Sequence, residues 1–532
     1  MKKAISLCMA LVMLLTLFAG CTKTETETTA AQTTGSEAET ESTGGEVVEG
    51  GSLVRAMPTD VMSLNLIYET GDEGMTMLKP VYDPLYVLSP EGTRYYLAES
   101  HTVSEDGLTY TVKLRENLKW HDGEPITADD VIFNFDFRMN PDNSSTSAVK
   151  VNGEFVTYQK IDDYTFSVTL PSLSANYEET LGKLTIIPKH IYEGEENIKS
   201  SEKNNLGIGS GPFKVEEWRK GESLTLTRFD DYYREPATLE SVVFKIIPNE
   251  SSQEIAFQNG EVNLFRISSQ DKYDKYANDD KYEIYSIPEG RINYMGFNSN
   301  SANMQDINAR KAIALALNVD EIIEGAYGST TISEAAKTVF CEQNLYYSDV
   351  EGYEHNLEEA KKLAQESGLA GKTLKLVYNS SRVNMEDCAL IIQQQLKNID
   401  VNVEIQGYET QGFFEVFFYT TAGDWDLGLN GYSTNGDNQG DRYMFSQDGF
   451  LCDNVFASQE IEDLWEQGNT TLDPEKRAEI YKTLQEKIRD IYMMYPISSP
   501  NFIMAVEKGY TGLDEIEKVP VFEDYTLIHK VN

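Results

Sequence analysis

The sequence has few of the residues from which cross-links and metal sites are built. Only 5 of its 532 residues are cysteine and 5 are histidine. Cys8 and Cys21 lie in the N-terminal segment, which leaves Cys341, Cys388 and Cys452. Three scattered cysteines are not a disulfide framework, so at most one pair can form and an apolar core must stabilise the fold. The histidines lack metal-ligand spacing, and we expect neither a metal nor another cofactor.

Basic residues are also scarce, because 45 Lys and Arg stand against 87 Asp and Glu, for a formal net charge of −42. A surface of this sign disfavours nucleic acid and anionic lipid as partners. Aromatic residues, in contrast, make up 11% of the chain, and 31 of them are tyrosine. They are sufficient for a large core with rings left over for a binding cleft.

The one long apolar run lies at the N-terminus. Two lysines at positions 2 and 3 precede an unbroken apolar or small run over residues 4–20, which is the pattern of a secretory signal peptide. The run ends in Leu17-Phe18-Ala19-Gly20-Cys21, which resembles the bacterial lipobox, where the chain is cut before a cysteine that then carries lipid. We predict a signal peptide over residues 1–20 and lipidation of Cys21. The alternative is an ordinary secretory peptide with an incidental cysteine.

Residues 22–51 are rich in Thr, Glu, Ser and Gly and contain no aromatic residue. Such a segment cannot bury enough apolar area to offset the entropy of ordering, so residues 21–51 are predicted to be a lipidated cysteine and a flexible tether. No later stretch is long and apolar enough to cross a membrane. We therefore expect the rest of the chain to lie outside the cell, anchored by lipid to the outer face of the cytoplasmic membrane.

Strand and helix signals alternate from residue 52 to the end, which is typical of an α/β fold. In the early part, residues 108–114 and 164–170 alternate as half-buried strands. Beyond residue 291, strands alternate with capped helices; Asn356 is a cap signal, and Asp473-Pro474 is another. A helix lies between predicted strands at 373–378 and 401–405, and this spacing predicts a parallel crossover unit.

The most distinctive stretch predicts a strand, a tight Asp-Gly turn and a helix that Thr127 caps with Asp130. It reads Trp120-His121-Asp122-Gly123-Glu124-Pro125-Ile126-Thr127-Ala128-Asp129-Asp130-Val131. This run resembles the signature of the family 5 solute-binding proteins, receptors of ABC importers for dipeptides, oligopeptides, nickel and related solutes. Three further runs are similar to the family in the expected order: 209–218, then 297–298 with 309–318, and 425–432.

The resemblance implies a two-lobed, periplasmic-binding-protein-like fold of type II (cluster C-like), with an extra strand-rich subdomain and an interlobe ligand cavity. It places the large lobe at 52–290, with the inserted subdomain at about 80–188. The second, βαβ-rich lobe would cover 291–490, and 491–532 would return to the large lobe. We expect a monomer that binds a short peptide and delivers it to an ABC permease.

The resemblance also suggests ligand contacts. Phe413 and Tyr432 stand at positions of cavity aromatics, and Trp425 begins the strand that lines the cavity. Peptide receptors of the family have an ammonium-binding aspartate three residues past the aromatic at the position of Tyr432. Here that residue is Asn435, and Asp437 is an alternative if the loop is shifted. For the aromatic residues, packing in the core remains the other interpretation.

Other function classes are less well supported. The same receptor could take another solute, such as an oligosaccharide or a metal chelate. An extracellular hydrolase is disfavoured because no nucleophile or metal constellation is visible, and we expect no enzyme. Gly207–Gly211 runs into a strand instead of a helix, so it is not a phosphate loop. His121 fits a turn better than acid–base chemistry.

Overall fold

The computed structural model of the protein describes residues 46–69, 71–89, 92–382, 384–418, 424–434, 436–447, 454–515 and 524–532. Its strands are β1 Val47–Val48, β2 Ser52–Met57, β3 Tyr86–Ser89, β4 Gly92–Tyr95, β5 Ala98–Val103, β6 Thr109–Leu114, β7 Lys150–Val151, β8 Glu154–Phe155, β9 Thr157–Lys160, β10 Thr165–Thr169, β11 Phe213–Arg219, β12 Ser223–Arg228, β13 Ser241–Ile246, β14 Leu264–Ile267, β15 Tyr282–Pro288, β16 Arg291–Phe297, β17 Ser333–Ala335, β18 Thr373–Asn379, β19 Asn402–Tyr408, β20 Leu427–Ser433, β21 Met494–Glu507, β22 Tyr510–Thr511 and β23 His529–Val531. The predicted strands at 108–114 and 164–170 correspond to β6 and β10.

The α-helices are spread along the same residues. They are α1 Asp72–Leu78, α2 Ala128–Arg138, α3 Tyr177–Gly182, α4 Lys189–Tyr192, α5 Glu250–Gln258, α6 Gln270–Ala277, α7 Ile307–Ala316, α8 Val319–Tyr327, α9 Leu357–Glu366, α10 Met385–Leu396, α11 Thr410–Phe417, α12 Arg442–Phe445, α13 Gln459–Asn469 and α14 Pro474–Asp490.

Helices begin where the sequence has cap signals. Thr127 and Asp130 form a reciprocal capping box at α2. Asn356 accepts a hydrogen bond from the Glu359 N–H at the start of α9, and Asp473 caps α14, whose first residue is proline. Each cap satisfies backbone donors that the first turn leaves without partners. These predicted helix starts are confirmed.

The parallel crossover is also confirmed. β18 pairs in parallel with β19 from Thr373↔Asn402 to Asn379↔Tyr408, and α10 connects them. β18 pairs in parallel with β20 on its other side. The carboxyl end of β18 therefore points to an edge where a connecting segment can carry ligand-binding groups.

A twelve-stranded sheet runs through the molecule, and β21 is the strand that joins its two parts. Residues 501–507 of β21 pair with β15, and part of this stretch also pairs with β14. Residues 494–500 pair with β16 and β17. The chain also passes between the parts at residues 288–291, where β15 ends and β16 begins. We call residues 46–288 with 501–532 the first part, and residues 291–500 the second part.

A separate four-stranded antiparallel sheet, in the order β5-β6-β10-β9, belongs to the first part. His121 ties this region to the glycine turn at 209–211, because its Nδ1 accepts from the Gly209 N–H and its Nε2 donates to the Gly211 carbonyl. Burial lowers the pKa of His121 to about 4, so the ring is neutral and acts as a structural link. A Cβ at Gly209 would lie 1.9 Å from the Val81 carbonyl oxygen, so only glycine fits there.

The folded chain begins earlier than the boundary predicted at residue 52. Val47 and Val48 pair with Val531 and Lys530 as strand β1, and the Gly50 N–H donates to the Thr238 carbonyl. Two adjacent β-branched residues at the end of an otherwise polar segment favour this pairing. Cys21 and residues 22–45 lie outside the described residues.

Two further sequence expectations concern cysteines and membrane spans. Cys341 and Cys388 are buried and free of disulfides, while Cys452 lies outside the described residues. Among the helices of the described chain, none combines the length and apolarity that a membrane crossing requires.

Asp83 lies in the first part, just before β3, and its carboxyl group is buried. The hydroxyls of Tyr232 and Tyr233 donate to its Oδ2 at 2.7 and 2.6 Å. Burial raises its pKa from 3.8 to about 7, Asp524 adds to the rise, and the two tyrosines and Arg234 oppose it. The carboxyl therefore changes its protonation near neutral pH.

We predict that Asp83→Asn alters the pH dependence of stability. The folded pKa of Asp83 exceeds the unfolded one, so its stabilising contribution is complete below pH ~4 and is lost as pH rises through 7. The asparagine mimics the protonated carboxyl and retains an acceptor for both tyrosines. In urea unfolding, the variant should gain about 3 kcal/mol over wild type between pH 5 and pH 8. A constant difference across that range would contradict the proposed titration.

Candidate ligand-binding cleft

Arg291 is the first residue of β16, at the junction of the two parts, and it is 8% exposed. Its Nε donates to Asn293 Oδ1 at 3.2 Å. Its Nη2 is buried without a hydrogen-bond partner. A Cβ at Gly431 would lie 2.8 Å from this Nη2, so the glycine of the neighbouring strand makes room for the guanidinium.

Arg382, in the segment after β18, carries a second guanidinium that acts on Arg291 electrostatically. Its Nε is buried without a hydrogen-bond partner. Burial lowers the pKa of Arg382. Burial also lowers the pKa of Arg291 to about 10, with the charge of Arg382 as the next cause. Within the described part of the chain, neither arginine has an ion-pair partner.

Acidic groups of α1 and of the passage between the parts act on these arginines electrostatically. Asp72 is the first residue of α1. Burial raises its pKa, Glu73 and Glu289 add to the rise, and Arg291 and Arg382 oppose it. Glu289 is already engaged, since Arg266 donates to it at 2.8 Å. The junction of the two parts thus combines acidic groups with two arginines that interact electrostatically.

Tyr443 adds an accessible aromatic ring to this cleft. It belongs to α12 and is 40% exposed, unlike most tyrosines of the second part. Burial raises its pKa to about 12, Asp441 adds to the rise, and Arg291 opposes it. The hydroxyl is therefore protonated at neutral pH and can donate a hydrogen bond near the arginines.

The structure brings two of the predicted aromatic contacts together in the core of the second part. The rings of Phe413 and Phe417 stack at 4.9 Å, and those of Phe417 and Trp425 at 4.8 Å. Phe413 is 0% and Trp425 1% exposed. The adjoining cavity has a volume of about 20 Å³, which is room for a single water molecule. These two rings pack as core, the alternative that the sequence left open.

Tyr432 lies apart from that stack, at 5% exposure. Its ring makes edge contacts with Tyr294 at 5.7 Å and with Phe445 at 5.4 Å. Its hydroxyl donates to the Val339 carbonyl. The neighbouring candidate Asn435 lies outside the described residues.

Asp437 is 2% exposed and forms an ion pair with Arg477. Two nitrogens of the guanidinium reach the two carboxylate oxygens, each at 2.9 Å. Asp437 Oδ1 also accepts from the Gln439 N–H at 2.9 Å. Both oxygens are therefore engaged within the protein in this conformation.

Sequence reasoning missed Arg291 and Arg382. A signal for Arg382 was present, because it follows the carboxyl end of a predicted parallel strand, where ligands bind in α/β sheets. Arg291 gave no local signal. It is a candidate site residue only because it lies where β16 pairs with β20, close to the pairing of β16 with β21. Among the described residues, no three His, Cys, Asp or Glu side chains are grouped to hold a metal ion.

Two parts that share strand β21, with charged groups at their junction, are the organisation of a two-lobed binding protein. Residues 93–450, about two thirds of the chain, match the family model of bacterial extracellular solute-binding proteins, family 5. The chain belongs to this family, whose members are receptors for solutes.

Individual relatives agree in sequence and in fold. The oligopeptide-binding protein AppA of Bacillus subtilis is 26% identical over 496 residues, which cover 88% of this chain and 90% of that protein. The crystal structure of the ABC transporter substrate-binding protein CtaP from Listeria monocytogenes is 33% identical, with a TM-score of 0.86 over 91% of this chain and 100% of the other. An AppA protein from Clostridium difficile is 35% identical, with a TM-score of 0.82 over 90% and 100%.

We predict that Phe413→Leu lowers stability without weakening ligand binding. The substitution disturbs ring stacking in the core and should cost about 1–2 kcal/mol in urea unfolding. The ring has no exposed surface, so the affinity for any ligand that stabilises the wild type should stay within about twofold. A much larger loss of affinity, by calorimetry, would place the ring in contact with the ligand.

Proposed function

We propose that this protein is the extracytoplasmic receptor of an ABC importer and binds short peptides with free termini in the cleft between its lobes. The observation that carries the proposal is the pair of neighbouring arginines, Arg291 and Arg382, without ion-pair partners. Two like charges that are largely buried destabilise the closed structure unless an anion joins them. A peptide carboxylate supplies that anion, with a planar geometry that matches a guanidinium.

The opposite end of the ligand is proposed to interact with the acidic side of the cleft. Asp72 and Glu73 stand at the start of α1, and Arg291 and Arg382 interact with Asp72 only through space. An ammonium group placed beside Asp72 would favour its ionised form and offset the burial that raises its pKa. A zwitterion thus matches both sides of the cleft at once.

The names of relatives support the same ligand class, since one is called an oligopeptide-binding protein. An uncharged oligosaccharide fits the cleft less well, because its hydroxyls leave both guanidinium charges uncompensated. The proposed contacts also include Tyr443, whose accessible ring can pack on a side chain. Tyr432, Asn435 and Asp437 remain predicted elements of the surrounding wall.

We predict that Arg382→Gln weakens the binding of peptides that carry a free carboxyl terminus. Di- to penta-alanine peptides, each with free, N-acetylated or C-amidated ends, would be tested by thermal shift and calorimetry. Loss of a hydrogen bond between charged groups should raise the Kd by about 10–100-fold. The wild type should bind C-amidated peptides weakly, and the variant should change that binding little.

The matched control is Arg219→Gln, which removes an arginine that pairs with Glu217 on the surface of β11. It should leave every Kd unchanged. If no peptide stabilises the wild type, peptide binding is excluded; if Arg382→Gln binds all peptides as the wild type does, the arginine pair is not the carboxylate site.

We further propose that Cys21 carries the lipid that holds this receptor at the membrane. The lipobox-like run 17–21 and the acidic, aromatic-free segment after it support the proposal. A tether of about thirty residues keeps the receptor at a high effective concentration near its permease.

We predict that Cys21→Ser releases the protein from the membrane fraction of the expressing bacterium. The serine has no thiol to acylate, so the protein should be recovered in soluble extracytoplasmic material and lack the acyl mass seen for the wild type. Cys341→Ser is the control, because this buried cysteine lies in the folded part. Retention of the Cys21→Ser protein at the membrane, with acyl mass, would refute the assignment.

A further inference from the structure

Helix α3 of the first part contacts the segment 436–441 of the second part. Glu179 of this helix is 5% exposed, and its Oε2 accepts from the Asp437 N–H at 2.7 Å. Its Oε1 pairs with Lys183 at 2.5 Å. A Cβ at Gly436 would lie 2.5 Å from the same Oε1. The segment therefore approaches the helix so closely that residue 436 is glycine.

Arg477 holds the same segment from the opposite side. It is 4% exposed and reaches Asp437 with two nitrogens. Its Nε donates to the Gly468 carbonyl at 2.9 Å, and its Nη1 donates to the Tyr346 hydroxyl at 2.9 Å. Within the second part, Asp437 is thus fixed by its side chain, while its backbone N–H is left to face Glu179.

A second contact lies beside the first. The Ala175 N–H donates to the Asn469 carbonyl at 2.8 Å, and the Ser174 hydroxyl donates to Asn469 Oδ1 at 3.1 Å. These bonds, like the Glu179 bond, join the two parts away from the β-strands that connect them. Any separation of α3 from the second part would break these hydrogen bonds.

Thr434, two residues before the segment, lies beside Arg291. Thr434 donates through its N–H and its hydroxyl to the Gly290 carbonyl at 2.8 and 3.0 Å. Gly290 directly precedes Arg291. Asp441, at the end of the segment, influences the pKa of Tyr443. The segment is therefore linked to the surroundings of Tyr443, and the residues just before it to those of Arg291.

We propose that Glu179 and Arg477 are positioning residues for ligand binding. Arg477 fixes the segment 436–441 through Asp437, and Glu179 accepts the Asp437 N–H only in the closed state. Closure without Glu179 leaves a buried N–H without an acceptor, which disfavours the closed state. The inference rests on the proposed function, since it assigns the device that retains a peptide in the cleft.

The test uses the full folded chain with Glu179→Ala, Glu179→Gln and Glu178→Ala. The glutamine retains an acceptor oxygen for the Asp437 N–H, so it should rescue most of the loss. Glu178 is the neighbour on α3, but its carboxylate binds His101 inside the first part at 2.9 Å. Glu178→Ala is therefore the matched control for loss of an acidic residue at this helix.

Two measurements separate this inference from the proposed function. Without ligand, amide hydrogen exchange at 436–441 should rise about tenfold or more in Glu179→Ala, while exchange in α14 stays unchanged. With the alanine peptide that stabilises the wild type most, the dissociation rate should rise about tenfold, and the association rate should stay within about twofold. A merely structural role would change exchange in α14 and the melting temperature as well.

The outcomes are distinct. If no peptide binds the wild type, the proposed function fails, and the exchange experiment alone decides whether Glu179 positions the segment. If peptides bind and Glu179→Ala changes neither exchange at 436–441 nor the dissociation rate, the inference is overturned. It is also overturned if Glu178→Ala has the same effect as Glu179→Ala.

Discussion

The backbone pairing of β21 is the constraint on which the rest of the structure depends. One strand of fourteen residues belongs to both parts of the central sheet, and its register with β16 shifts between Asn293 and Tyr294. The only other passage of the chain between the parts is at residues 288–291, immediately beside it. Relative motion of the parts is therefore confined to bending at this junction, which is the behaviour of a hinge. Arg291 lies at the same junction, so bending there displaces this candidate ligand-binding residue directly.

The buried charges of the second part fall into two kinds. Arg477 is paired with Asp437 and bonded to a carbonyl and a hydroxyl, so its charge is fully compensated inside the protein. Arg291 is buried and Arg382 partly buried, and one nitrogen of each is buried without a hydrogen-bond partner. Uncompensated buried charge is costly, so this contrast is the basis for proposing Arg291 and Arg382, and not Arg477, as ligand-binding groups.

Local signals predicted the elements of this fold well. Helix starts were predictable at Thr127, Asn356 and Asp473, because a cap involves only residues within one turn. The pairing of β21 with strands about two hundred residues earlier has no such local trace, and only the family resemblance suggested how the lobes are assembled.

The ionic groups were the hardest part of the candidate site to predict from the sequence. Arg477 shares the buried face of α14 with Leu484 and Ile488, where apolar periodicity gives no indication of a buried arginine. Its partner lies forty residues earlier. Phe413 shows the opposite error. Its position in the sequence suggested a cavity residue, but helix α11 directs its side chain into the core.

If the arginine pair binds the ligand as proposed, it also gives the receptor a kinetic filter. The chain as a whole carries a formal charge of −42, so an anion that approaches from solution meets repulsion before it reaches the two guanidinium groups. A zwitterion has no net charge and approaches without that barrier, yet it still presents a carboxylate once inside. The acidic surface would then select among anions by their rate of arrival, and the selection would weaken as salt screens the surface.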